Sequence, residues 1–320
     1  MSKHTMTIWG AGFVGATAYE VFKHSTEFFV RVFDPYKETS KLFLEDKEAK
    51  FVDKVTALDS DLHMICVPTP MIHETGECDI SIVDSVIKDI IEHHVAFPTY
   101  REIVIKSTVP VGTTEHYSTS YQFRPDSRIQ FMFNPEFLTE ANALNDFEDA
   151  KYQIVGIDVG YDNSQKRENV GIGSFLWLLY NSSPFTFKVE FKWLQPDEAE
   201  MVKLMRNCYL ATRLSFFNEM KQFTDACGIN FEKVTQHAGL DPRIGNHYNK
   251  VPGPDGRRGW SLSCLPKDIN NVIYSMKDRW VKPTVLEAVW QKNLEVRPER
   301  DWEDMAKAVV SAESKKNNGE

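Results

Sequence analysis

The first half of the chain alternates between short apolar runs and segments with helical spacing. Thr5–Trp9, the segment FFVRVFD closing on Asp34, Leu62–Val67, Glu102–Lys106 and Ile129–Phe133 read as strands. Tyr152–Ile157 and Phe185–Val189 are shorter candidates. Leu62–Val67 is apolar nearly throughout, as a buried strand is. Between these runs, Ala16, Ala18, Val21 and Phe22 follow a helical pattern, as do Ile80–Ile91 and one segment from about Asn163 to Tyr180. Strands alternating with helices predict an α/β fold with a doubly wound parallel sheet.

From Pro196 the pattern changes. One long helix is predicted up to Gly228, with Met201, Val202, Met205, Tyr209, Leu210, Leu214, Phe217, Met220 and Phe223 covering more than one stripe. Such a helix is expected to be buried on several sides. Asn230–Ala238 is a shorter helix, and a further one begins near Cys264. The pattern predicts residues 1–192 as one domain and 193–312 as an all-helical second domain. The last residues, 313–320, form a polar tail too low in hydrophobicity to fold.

Composition adds bounds. A chain of 320 residues holds two cores, and 42% hydrophobic with 26% charged residues is ordinary for a water-soluble protein. A net charge of -9 argues against nucleic acid as the main partner. No apolar run is long enough to span a bilayer, and the N-terminus does not resemble a signal peptide. Five cysteines in no paired or metal-like spacing point to reduced thiols in a cytoplasm. The histidines form no ligand pattern, so no metal is expected, and the adjacent His93 and His94 are expected on an exposed helix end.

Candidate chemistry begins at GAGFVG, where Gly10, Gly12 and Gly15 occupy G-x-G-x-x-G positions between a strand and a helix. The second strand then ends on Asp34. Strand, glycine turn, helix, strand and acid in that order are the Rossmann-type dinucleotide fingerprint. Asp34 would bind the adenosine ribose hydroxyls and repel the extra phosphate of NADP, so NAD is the expected cofactor. VPTP, KSTVP and NPEF follow other strands, and in such sheets ligands bind outside the strand C-termini. In the second half, Lys203 and Asn207 share one face of the long helix. Cys264 stands just ahead of Pro266, Lys267 and Asp268. Proline in a first helical turn places Cys264 at a helix N-terminus, which favours thiolate over thiol. A small buried hydrophobe is the competing reading of these residues alone.

GAGFVG, VPTP, KSTVP, NPEFLTE, EAEMVKL…N, DPRIGN and GPDGRRG…CLPKD, in that order, resemble the UDP-glucose 6-dehydrogenase family within the nucleotide-sugar 6-dehydrogenases. The resemblance covers nearly the whole chain. It implies two successive oxidations of a sugar C6 alcohol by NAD, UDP-glucose to UDP-glucuronate. Cys264 would form the thiohemiacetal and then the thioester, with Lys203 and Asn207 at the developing oxyanion. Asp268 would position or deprotonate groups near the thiol, and Glu140 and Thr108 would hold the hydrolytic water. The NAD site would comprise Gly10, Ala11, Gly12, Phe13, Val14, Gly15 and Asp34, then Val67, Pro68, Thr69, Ser107, Thr108 and Lys267. Glu136, Phe137, Leu138, Lys203, Asn207, Gly259 and Cys264 would meet the nucleotide sugar, and Arg243 would reach the substrate of a neighbouring subunit. A homodimer through the long helix is the expected assembly.

Two features depart from the family pattern. A glycine pair usually stands just before the cysteine, where this chain reads Ser261-Leu262-Ser263, so Leu262 calls for a different φ/ψ or a shifted pocket. A third α/β domain that holds much of the nucleotide in the family does not follow in this sequence. GDP-mannose or a UDP-aminosugar would use the same chemistry. Two alternatives stay open: a one-hydride β-hydroxyacid-type dehydrogenase, and a partner-dependent or non-catalytic NAD- or nucleotide-sugar-binding subunit.

Overall fold

The computed structural model describes residues 3–96, 99–122, 128–139, 142–159, 164–305 and 307–311. The polar tail from 313 lies outside them. In chain order the first elements are β1 (His4–Trp9), α1 (Phe13–Phe22), β2 (Phe28–Phe33), α2 (Lys41–Glu45), α3 (Lys54–Leu58) and β3 (Leu62–Ile65). Then come β4 (Met71–Ile72), α4 (Ser81–Ala96), β5 (Arg101–Ile105), α5 (Thr113–Tyr117), β6 (Ile129–Phe133), α6 (Ala143–Glu148) and β7 (Tyr152–Ile157). The remainder is α7 (Ser164–Ile172), α8 (Phe175–Ser182), β8 (Glu190–Leu194), α9 (Pro196–Ala226), α10 (Phe231–Ala238), α11 (Cys264–Asp278), α12 (Thr284–Val296) and β9 (Val309–Val310). The described residues fall into two compact units, 3–69 with 80–203 and 70–79 with 204–311.

The first unit is built on a seven-stranded sheet in the order β2-β1-β3-β5-β6-β7-β8. β2, β1, β3, β5 and β6 are parallel, whereas β7 runs antiparallel to β6 and β8 follows β7 in parallel. Successive residues of one strand enter opposite cores. Val104 and Met132 join α1 and α8 on one face, while Ile103, Ile105, Phe131 and Phe133 join α4 and the start of α9 on the other. Burial on both faces explains why these strands lack a polar alternation. β1 lies between β2 and β3, so the chain reverses direction across the sheet between β1 and β3. A ligand crevice is expected at that switch point.

Three details differ from the sequence expectation. The last strand of the seven-stranded sheet is Glu190–Leu194 rather than Phe185–Val189. Ser183 donates to the Val21 carbonyl and Thr186 to that of Tyr180, which holds the earlier residues in turns. Phe191 and Trp193, with stacked rings 5.1 Å apart, then sit on the strand. Secondly, the helix expected up to Tyr180 is two helices, because Ser174 caps the second by accepting from the Trp177 amide. Asn163, where that helix was expected to begin, lies outside the described residues. Thirdly, His94 is buried, although it stands in the last turn of α4.

The second unit is helical apart from a small parallel ribbon, β4 with β9. One core cluster gathers Cys208, Ala211, Trp260, Ile269, Ile273 and Val289. The buried Trp260 indole donates to Ser215, and Asn293 brackets the Trp260 backbone at both N–H and C=O. The long helix is not covered on every side within the chain. Met205, Tyr209, Phe216 and Phe223 are exposed, at spacings that keep them on one face.

Candidate active site

In the first unit the glycine turn sits at the switch point. Gly10 has φ +94°, and a Cβ there would come within 2.7 Å of the Cys66 carbonyl at the end of β3. A Cβ on Gly15 would approach the Gly10 carbonyl to 2.0 Å, so α1 packs directly on the turn. Gly12 caps α1 without a side-chain hydrogen bond, and a Cβ there would meet only open space. That leaves a bare helix N-terminus beside a shallow backbone cradle, which suits a pyrophosphate. Asp34 stands across from it and accepts from the Ala11 amide at 2.7 Å and the Tyr36 amide at 2.8 Å. Each carboxylate oxygen keeps acceptor capacity for a ribose hydroxyl. The residues present therefore fit NAD. Phe13 and Val14 are half-buried in the first turn of α1.

The next strand ends supply the rest of this edge. Ser107 donates to the Val67 carbonyl at 2.7 Å, and the Thr69 hydroxyl donates to the Thr108 carbonyl at 2.7 Å. Thr69, Ser107 and Thr108 are buried, and Pro68 between Val67 and Thr69 is exposed. After β6, Glu136 and Lys203 form a buried ion pair. The Lys203 ammonium donates to Glu136 Oε1 at 2.8 Å and to the Glu136 carbonyl at 2.7 Å. The other carboxylate oxygen accepts from the Leu138 amide at 2.9 Å, and the Phe137 ring centroid lies 5.6 Å from the ammonium. Burial alone would raise the Glu136 pKa, but Lys203 beside it holds the carboxyl below its ordinary value. Glu140 lies outside the described residues.

Three buried groups of this unit escape a reading of the sequence. Glu200, three residues before Lys203 on α9, accepts from the Gly112 amide and from the amide and hydroxyl of Thr114. Burial pushes its carboxyl up to about 7. Lys106 and Asn134 bond to each other beneath the NPEF turn. A lysine closing an apolar strand and an acid one turn from Lys203 were the available signals, but neither names its partner.

In the second unit Cys264 opens α11, after Ser263, whose side chain makes no cap hydrogen bond. Its sulfur is 3.9 Å from Ser263 Oγ. Asp268, one turn on, is buried and accepts from Asn207 Nδ2 at 2.6 Å and from the Lys267 ammonium at 2.6 Å. Burial works against the Lys267 charge, yet Asp268, Cys78 and Cys264 together raise its pKa. Cys208 beneath them is pushed up to about 12 by burial and then by Asp268, so it stays a thiol. The structure thus joins Asn207, Lys267 and Asp268 in one network at the helix that Cys264 opens.

Leu262 adopts φ +66°, the left-handed region that favours glycine, and is half exposed. The leucine therefore takes up a backbone region that favours glycine, at a steric cost. Gly259, at φ +70°, is held by Asn218 through its amide, and a Cβ there would press on Asn293. Arg243 stands apart from this group. Its side chain is 87% exposed and folds back on Asp241 in a bidentate pair.

Known proteins resemble this chain along most of its length. UDP-glucose 6-dehydrogenase TuaD of Bacillus subtilis is 32% identical over 236 residues, 73% of this chain and 46% of that protein. The UDP-glucose 6-dehydrogenase of Streptococcus pneumoniae is 30% identical over 307 residues, 90% of this chain and 72% of that protein. The chain spans about half the length of several curated relatives it matches. A solved UDP-glucose dehydrogenase from Pyrobaculum islandicum superposes with a TM-score of 0.76 at 24% identity, covering 92% of this chain and 68% of that one, which supports the fold. Residues 36–170 match the NAD binding domain of one dehydrogenase family and residues 197–295 match its central domain. The first match begins just past Asp34, so the glycine turn rests on its own geometry. With both domains matched in order on the expected fold, the chain belongs to the UDP-glucose/GDP-mannose dehydrogenase family.

Proposed function

We propose that this chain catalyses the NAD-dependent, four-electron oxidation of the C6 alcohol of a nucleotide sugar to the acid, with UDP-glucose as the first substrate to test. The observation that carries the reading is Cys264 at the first position of α11, with Lys267, Asp268 and Asn207 bonded in a network one turn below it. A thiol at a helix N-terminus is drawn toward thiolate by the helix dipole. Loss of a first hydride from C6 and of the hydroxyl proton would give the aldehyde. The thiolate would then add to its carbon, and the carbonyl π electrons would move to oxygen and give the thiohemiacetal anion. Lys203 would serve that oxygen and Asn207 would donate to it. Loss of hydride from the same carbon leaves a thioester, and water held by Thr108 and Glu140 would release the acid and return the thiol. NAD, when bound, supplies the acceptor for the two hydrides. Gly10, Gly12, Gly15 and Asp34 would hold it, with Thr69 and Thr108 along the same edge.

Assembly belongs to the same proposal. The exposed apolar face of α9 is read as the seam of a homodimer, through which Arg243 would reach the partner's substrate. No helix among the described residues is long and apolar enough to cross a membrane. The proposed setting is the cytoplasm, where the five free thiols would persist.

The direct test is NADH formation at 340 nm with UDP-glucose, GDP-mannose and UDP-N-acetylmannosamine in turn. UDP-glucose should give the highest kcat/KM. Absence of turnover with all three, while NAD still raises the melting temperature, would move the chain to a binding subunit.

A further inference from the structure

Lys106 follows the apolar strand β5 and is only 2% exposed. Its ammonium donates to Asn134 Oδ1 at 2.8 Å and to the Asn134 carbonyl at 3.2 Å, and lies 5.3 Å from the Phe147 ring centroid. Asn134 is fixed from its other sides as well. Its Nδ2 donates to the Ile154 carbonyl at 2.8 Å, and its Oδ1 accepts from the Tyr180 hydroxyl at 2.9 Å. Two residues further on is Glu136, the partner of Lys203.

The titratable groups acting on Lys106 are Cys66, Glu136 and Lys203. Burial pushes the Cys66 thiol up to about 12 and raises the Tyr180 hydroxyl, so both are neutral at ordinary pH. Burial brings Lys106 down to about 8, which leaves it mostly charged at neutral pH, and its charge helps to keep Glu136 ionised. Were Lys203 to serve a reacting oxygen, as proposed above, the buried Glu136 carboxylate would lose its main partner. Left alone at that depth it would take up a proton or draw the lysine back.

We propose that Lys106 is a positioning residue that fixes the turn from Asn134 to Glu136 and keeps Glu136 anionic, so that Lys203 is free to serve the reacting oxygen. This rests on the oxidation proposed above. The test uses Lys106→Met and Lys106→Arg in the full chain, with Glu136 followed by carbon-13 carboxyl NMR (assigned through Glu136→Gln) beside turnover with UDP-glucose. In Lys106→Met the Glu136 midpoint should rise by about one unit, and Lys106→Arg should restore it. kcat should fall by about tenfold or more in the methionine variant, with the KM for NAD within about twofold of wild type. Should Lys106→Met fail to fold, Lys106→Arg decides: loss of turnover above pH about 8 in wild type should move up by more than about one unit. An unmoved Glu136 midpoint with kcat within about threefold of wild type, or an alkaline limb shared by wild type and Lys106→Arg, overturns the proposal. A wild type without turnover but with the Glu136 shift present would sink the oxidation reading and leave Lys106 standing.

Discussion

Glu136 is ionised at a depth where a lone carboxylate would be protonated, and Lys203 is the chief reason. Removing one member of a buried pair leaves the other uncompensated, which typically costs about 3–5 kcal/mol. Lys203→Met is therefore expected to lower stability by about that amount, whereas the double variant Lys203→Met/Glu136→Gln should recover most of it. Denaturant unfolding of the three proteins checks this, and equal losses in single and double variants would contradict it. At this scale the sequence shows Cys264, Lys203 and Asp34 through local motifs, since each is marked by neighbours a few positions away. It does not show Lys106 with Asn134, or Glu200 with Thr114. Those partners come from separate strands and helices, and only the sheet order brings them together.

Among the elements, α9 does most to arrange the site. Glu200 fixes its start to the N-terminal end of α5, and Lys203, nearly a turn later, reaches the NPEF turn. Further along, Met205, Tyr209, Phe216 and Phe223 face solvent in the single chain, an apolar stripe of the kind that a second copy covers. Phe216→Glu, alone or with Met205→Glu, should convert a dimer into a monomer in analytical ultracentrifugation without loss of helix content. A wild-type monomer, or a variant that stays dimeric, would refute the seam. The existence and type of α9, α1 and the parallel strands were legible because their periodicity is long or their flanking turns specific. The position of β8 was not, because the apolar residues on either side of Val189 fit a strand equally well. Ser183, Thr186 and the Phe191–Trp193 stack decide the matter through contacts with other elements.

For the whole molecule, buried titratable groups make stability depend on pH in opposing directions. Burial pushes Glu102 and Glu200 up to about 7 from the ordinary 4.5, although each accepts hydrogen bonds. Between those values the folded state binds protons that the unfolded chain has released, so their contribution falls as pH rises from about 4.5 to about 7. His63 acts the other way. Burial, with Arg101 and Arg31 nearby, holds it well below 6.5, so its contribution is present above that value and is lost as pH falls below it. Glu200→Gln should therefore gain stability relative to wild type as pH rises from 5 to 7, and the buried His63→Asn should show the reverse trend. Melting curves across that range read both, and flat differences would show that the burial of these groups carries no such linkage.

In the proposed reaction one active site removes two hydrides from one sugar carbon by way of Cys264. It is tested most directly by counting NADH released per UDP-glucose when the sugar is limiting and NAD is in excess, with Cys264→Ser beside the wild type. Two NADH per sugar are expected from wild type, and a stalled or very slow reaction from Cys264→Ser. One NADH per sugar, unchanged by the substitution, would contradict it and leave a dehydrogenase that needs no covalent intermediate.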